Sequence, residues 1–230
     1  MTPMQKGPGT FRRRFTVRLV AMCCLLAAGA ATTLPAAAQS AFDRVFDAVD
    51  ANQPAEVRSL LAQGVDVNTT DREGNTLLAR AAQRGNREVA TLLLASGARI
   101  ETRNRFGETP LMFAALAGNE GLVRELLARQ ARTRSDGPAW TPLHYAALRG
   151  HAGVLVLLLD AGGDINAVSD NGTTPLMLAA SEGRLDAVTL LLKRGADVSR
   201  ETDAGRTAGA WARSAGQSRI ADILDAAARK

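Results

Sequence analysis

Two histidines, two cysteines and a scatter of carboxylates are the side chains of this 230-residue chain that could do chemistry. An imidazole at His144 or His151 could act as a general base or ligate a metal. No third ligand of the usual kind lies near them in the sequence. Cys23 and Cys24 could supply a thiol nucleophile, a metal ligand or a disulfide. Both fall within the first 38 residues, which leaves the rest of the chain without a thiol. The 23 Asp and Glu residues could form an acid–base pair only inside an enclosure that shifts a pKa. There is no Gly-rich phosphate loop, no Ser-centred elbow and no Cys–His pair. The residues point to a non-catalytic chain with no catalytic residue, no metal ligand and no cofactor; an enzyme is the alternative.

Hydrophobic residues make up 46% of the chain but aromatics only 4%, so its core is one of Ala, Leu and Val, suited to closely packed helices. The net charge of +5 invites a nucleic-acid reading. Lys6, Arg12, Arg13, Arg14 and Arg18 carry that excess; beyond residue 38 there are 23 basic residues against 23 acidic ones. No nucleic-acid partner is therefore expected.

Residues 1–38 have the three parts of an export signal. These are basic residues from Arg12 to Arg18, an apolar run from Leu19 to Ala31, and small residues ending Ala36-Ala37-Ala38 before Gln39. Arg12-Arg13-Arg14-Phe15 resembles the twin-arginine motif, although Thr16 and Val17 depart from its continuation. The apolar run is shorter than the roughly 20 residues of a membrane-crossing helix. The expectation is cleavage after Ala38 and a periplasmic or secreted product that is not membrane-inserted. An uncleaved leader that tethers the chain as a membrane-bound organiser is the alternative.

Downstream the chain repeats itself. Thr76, Thr109, Thr141, Thr174 and Thr207 stand 33, 32, 33 and 33 residues apart, and the middle three are each followed by Pro-Leu. A Thr hydroxyl can cap a helix start, and Pro at the first helical position gives up no needed donor. The spacing predicts first helices beginning at 77, 110, 142, 175 and 208. Paired alanines at 81–82, 114–115, 146–147 and 179–180 allow close helix approach, and Gly85, Gly118, Gly150 and Gly183 the tight turn after them. Second helices follow, with Leu92, Leu126, Leu158 and Leu191 expected to line one continuous interior. Gly64, Gly97, Gly162 and Gly195 end those helices in a left-handed conformation. Val67, Ile100, Ile165 and Val198 then suggest an extended hairpin with one covered face. Asn68-Thr69-Thr70 and Asn171-Gly172-Thr173 match the glycosylation sequon but read as hairpin residues.

This pattern resembles the ankyrin repeat, most fully in Trp140-Thr141-Pro142-Leu143-His144-Tyr145-Ala146-Ala147, with Gly150-His151 and Gly162-Gly163-Asp164-Ile165-Asn166 after it. The resemblance implies an all-α repeat solenoid of helix-turn-helix units with β-hairpin loops in residues 39–230. Four full repeats (71–103, 104–135, 136–168, 169–201) would lie between caps at 41–70 and 202–230. A single unit cannot bury its own apolar face, which is why the ends lack the full consensus. The resemblance also implies that His144 ties its helix start to a neighbouring loop and that His151 caps the turn into the second helix. It implies one protein partner, held by a monomer through the concave face. By register that face takes Arg72, Arg84, Arg105, Phe106, Leu116, Trp140, Leu148 and Arg149. Phe113, Tyr145, Leu178 and Trp211 fall on the packed helix face instead.

The junction from Gln130 to Pro138 breaks several local rules together. It is one residue short, Gln130 stands where the other units have Gly, Thr133 replaces the apolar residue, and Pro138 enters the turn. Clustered failures of this kind mark either drift or function, and their place beside Phe106 and Trp140 favours function.

Overall fold

The structure is a computed structural model that describes residues 36–229, with side chains from residue 41. The basic and apolar parts of the expected leader lie outside the described residues, and the expected cleavage point after Ala38 falls in the first turn of the first described helix.

Twelve helices form six pairs among the described residues. They are α1 (Ala36–Asp50) with α2 (Pro54–Ala62), α3 (Leu77–Arg84) with α4 (Arg87–Ala95), and α5 (Pro110–Ala117) with α6 (Glu120–Ala128). Then come α7 (Pro142–Arg149) with α8 (Ala152–Asp160), α9 (Pro175–Ser181) with α10 (Leu185–Lys193), and α11 (Ala208–Ser214) with α12 (Ser218–Ala227). All five helix starts expected from the threonine register are found. The hydroxyls of Thr76, Thr109, Thr174 and Thr207 each accept the N–H three residues on, at 3.1 to 3.4 Å. At the far end, Gly85, Gly118, Gly150 and Gly183 hold φ between +72° and +78°. In the first unit Asn52 takes that conformation, with φ +51°.

First helices stack on first helices, from α3 through α11, and second helices on second helices, from α2 through α12. The eight paired alanines are fully buried between the first helices, where a larger side chain would hold the backbones apart. The interior column of the second helices is Leu60, Leu93, Leu126, Leu158, Leu191 and Leu224, none more than 2% exposed. Leu92, expected in that column, is half-buried on the flank; one residue of rotation, about 100° on a helix, separates it from Leu93.

The expected hairpin strands do not form. Val67, Ile100, Ile165 and Val198 are half-buried, but they lie in turns, and the described residues contain only an isolated Thr70–Thr76 bridge. The reason is side-chain competition for the backbone. Asp66, Asp164 and Asp197 each accept the N–H two residues on, at 2.9 to 3.0 Å, which curls the chain where a ladder would need it extended. Asn68 and Asn166 accept from the next unit's Arg99 and Asp197 backbone, so both act as loop clasps, as does Glu101 toward Arg132.

Consecutive units are also hooked together at their turns. At four of the turns the side chain donates to a carbonyl near the end of the preceding unit's first helix: Asn86 to Val49, Asn119 to Gly85, His151 to Leu116 and Arg184 to Leu148, at 2.7 to 3.3 Å. His151 therefore does not cap its own helix with its side chain, as expected; it reaches backward instead. A Cβ at Gly118 would stand 2.7 Å from the His151 ring, so glycine there also makes room for the hook.

Candidate functional site

Four of the outward tips between units close on their own first residue. Asp71 accepts the N–H groups of Glu73 and Asn75 at 3.0 and 2.8 Å, and Asn104 those of Phe106 and Glu108 at 2.9 Å each. Ser169 and Thr202 play the same part for Thr173 and Arg206. Neighbouring tips are joined by Arg105 N–H to the Glu73 carbonyl (3.0 Å) and Asp203 N–H to the Asn171 carbonyl (3.2 Å). Asn104 further donates to the Asn75 side chain at 2.8 Å.

These bonds hold Arg72, Arg105 and Phe106 outward. Phe106 is 66% exposed, a large apolar side chain left in water on a tip that is otherwise tightly bonded. Trp140 is different. Its ring lies 5.1 Å from Tyr145, edge-on, and 5.6 Å from His144, so it is half-buried on its own helix start. Tyr145 was expected in the core; it is half-buried, and its hydroxyl donates to Glu108 of the preceding tip at 2.7 Å. Phe113, Leu178 and Trp211 are buried as expected.

The remaining candidates sit toward the opposite ends of the first helices. Arg84 is exposed but engaged by Asp50 at 3.0 Å, Arg149 is exposed, and Leu116 is half-buried. Leu148 is corrected: at 6% exposure it belongs to the core, because α7 is packed between α5 and α9. The sequence register found the tip residues and missed the Tyr145–Glu108 link, which no spacing within one unit signals.

His144 is fully buried at the start of α7. Its Nδ1 accepts the Thr141 N–H at 3.1 Å and its Nε2 donates to the Thr173 carbonyl at 3.0 Å, which fixes the neutral Nε2–H form and ties the helix start to the next loop. Burial pushes its pKa down to about 4, against weaker opposing hydrogen bonds to Thr173 and Ala167. In the neighbouring units a methionine sulfur takes the place of Nδ1: Met112 accepts from Thr109 and Met177 from Thr174, both at 3.4 Å. A position that thioether and imidazole fill alike is a structural one. At the N-terminal end, burial alone would raise the Asp50 pKa, but hydrogen bonds and charge from Arg80 and Arg84 outweigh it and hold the carboxyl below its ordinary value.

The irregular junction is strained where expected. Gln130 adopts φ +65°, at a place where Gly64, Gly97, Gly162 and Gly195 serve the other units. Asp136 pairs with Arg132 at 2.7 Å and does not close the fourth tip. Among the described residues, no cluster of three or more His, Cys, Asp or Glu side chains could hold a metal, and no helix is long and apolar enough to cross a membrane. A depression lined by Phe42, Phe46, Asp43, Asp47 and Arg80 opens to solvent at the N-terminal unit.

No curated protein matches the chain. A family model described as ankyrin repeats (3 copies) matches it in four overlapping stretches, residues 45–135, 97–168, 122–202 and 143–227. Those stretches take in the helix pairs, the buried leucine column and the bonded tips alike, and the chain belongs to the ankyrin-repeat family.

Proposed function

We propose that the chain is a non-catalytic scaffold that holds one protein partner against its tips and the open side of its first helices, the concave face of an ankyrin stack. Ankyrin repeats typically mediate protein–protein interactions, and the family is generally non-catalytic. The observation that carries the proposal is Phe106: its aromatic ring is 66% exposed beside Arg105, on a tip whose backbone is already fully organised. Aromatic and arginine side chains on a preformed surface dominate protein interfaces because they bury much area for little ordering cost.

The product acts as a monomer outside the cytoplasm, released in the periplasm by cleavage after Ala38. Mass spectrometry of the isolated chain should give an amino terminus at Gln39; a terminus upstream of it favours the tethered organiser.

The test of recognition is capture of the native partner from extract by the parent chain, followed by affinity measurement on the purified pair. Phe106→Ala should weaken binding by more than about tenfold with unchanged helical circular dichroism. Trp140→Ala should weaken it as much, with some loss of stability, because Trp140 also packs on Tyr145 and His144. Unaltered affinity in both would move the site off the tips.

A further inference from the structure

We propose that the gap between the third and fourth tips is a docking site for an extended acidic segment of a partner protein, with one apolar side chain set against Phe106. The inference rests on the scaffold reading above and names the chemistry of its partner.

Three observations meet at this place. The first is backbone. Tip-to-tip bonds join the second and third units and the fifth and sixth. The matching bond from Gly137 N–H to the Phe106 carbonyl is absent among the described residues, and so is the one from Asp170 N–H to the Pro138 carbonyl. The missing residue and Pro138 displace the fourth tip, which makes its bond from Ala139 to Val168 instead. The Phe106 carbonyl and the Gly137 N–H have no backbone partner among the described residues, both residues are exposed, and a Cβ built on Gly137 would meet nothing within 4 Å. Such unpaired backbone is what an added strand uses.

The second observation is charge. In residues 101–140 each carboxylate is already engaged: Glu101 by the Arg132 N–H, Glu108 by Asn104 and Tyr145, Glu120 by Arg124, Glu125 by Thr91 and Arg129, and Asp136 by Arg132. Arg103, Arg105 and Arg134 are exposed, and none pairs with a carboxylate among the described residues. Arg103 donates only to the Gly107 carbonyl, which positions it on the third tip. Arg103, Arg105 and Arg134 thus stand on the third and fourth units with no carboxylate of residues 101–140 paired to them, although residues 39–230 are balanced, and complementary acidic charge would both steer and select the incoming segment. The third is the exposed Phe106 ring itself, which supplies an apolar anchor at the edge of the gap.

The probe is a fluorescein-labelled peptide of alternating Glu and Leu, compared with a Lys-for-Glu and a Ser-for-Leu version by fluorescence anisotropy on the isolated chain at low salt. The acidic peptide should bind saturably, and the Lys peptide should not bind. Ser-for-Leu in the peptide, or Phe106→Ser, Arg105→Glu or Arg134→Glu in the chain, should each weaken binding by about tenfold. Arg219→Glu, on distant α12, should leave it unchanged. No binding of the acidic peptide, equal binding of the Lys peptide, or an equal loss in Arg219→Glu would each overturn the proposal. The broader scaffold reading fails separately. If the native partner is lost with Phe106→Ala but held by the arginine reversals, the tips recognise it and the acidic segment is wrong.

Discussion

Acid should loosen this fold through one side chain. His144 is neutral and buried, with a folded pKa of about 4 against an ordinary value of 6.5. Between those values the unfolded chain binds a proton that the folded chain refuses, so stability rises with pH there. The contribution is complete above the unfolded pKa and is lost as pH falls from 6.5 toward 4. Linkage over that gap gives about 3 kcal/mol in total, of which about 2 kcal/mol is lost between about pH 7 and about pH 5. His144→Met is the comparison, because Met112 and Met177 already fill the same register and accept the same N–H. The variant gives up the bond to Thr173 and should cost about 1 kcal/mol at neutral pH. Urea unfolding of parent and variant at both pH values measures the effect. The parent should lose about 2 kcal/mol more than the variant on acidification, which reverses their order of stability. An unchanged parent–variant difference would refute the reasoning, since nothing else in the comparison removes a proton-binding site.

Other outcomes follow from single positions. Gln130→Gly should stabilise the chain by about 1 kcal/mol, because φ +65° strains a side chain there, and a lower thermal midpoint would contradict it. Leu93→Ala should cost about 3 kcal/mol and Leu92→Ala much less, read by chemical denaturation, since only Leu93 belongs to the buried column. Phe106→Ala should leave the free energy of unfolding within about 0.5 kcal/mol of the parent while it weakens partner capture.

The repeat was legible because its parts are local. A threonine cap, a proline, an alanine pair and a turn glycine each state a backbone requirement within a few residues, and all five helix starts fell where the threonines put them. Left-handed Gln130 was legible in the same way, from the glycines it replaces. What failed was whatever depended on rotation or on a neighbouring unit. Leu92 and Leu93 are equally apolar, and only the stacking direction decides which is covered. Leu148 read as outward within its own helix and is buried in the stack, where α7 lies between α5 and α9. His151 carries a plausible local cap, yet its acceptor, Leu116, lies in the unit before. The strands were overestimated because alternation in Asp-Val-Asn looks extended, while the aspartate folds the chain back on itself. Of the tip residues, the register found Arg105 and Phe106 but gave no sign that the carboxylates of residues 101–140 are all engaged elsewhere.

The turn hooks have a consequence for how such a chain can grow. Asn86, Asn119, His151 and Arg184 each belong to one unit and fasten to the previous one, so a unit carries a hook at its own turn and a socket at the end of its first helix. A tandem copy of residues 71–103 would arrive with both, and duplication could lengthen the array without inventing a joint. A copy of residues 136–168 would bring its displaced tip along with them and multiply the gap.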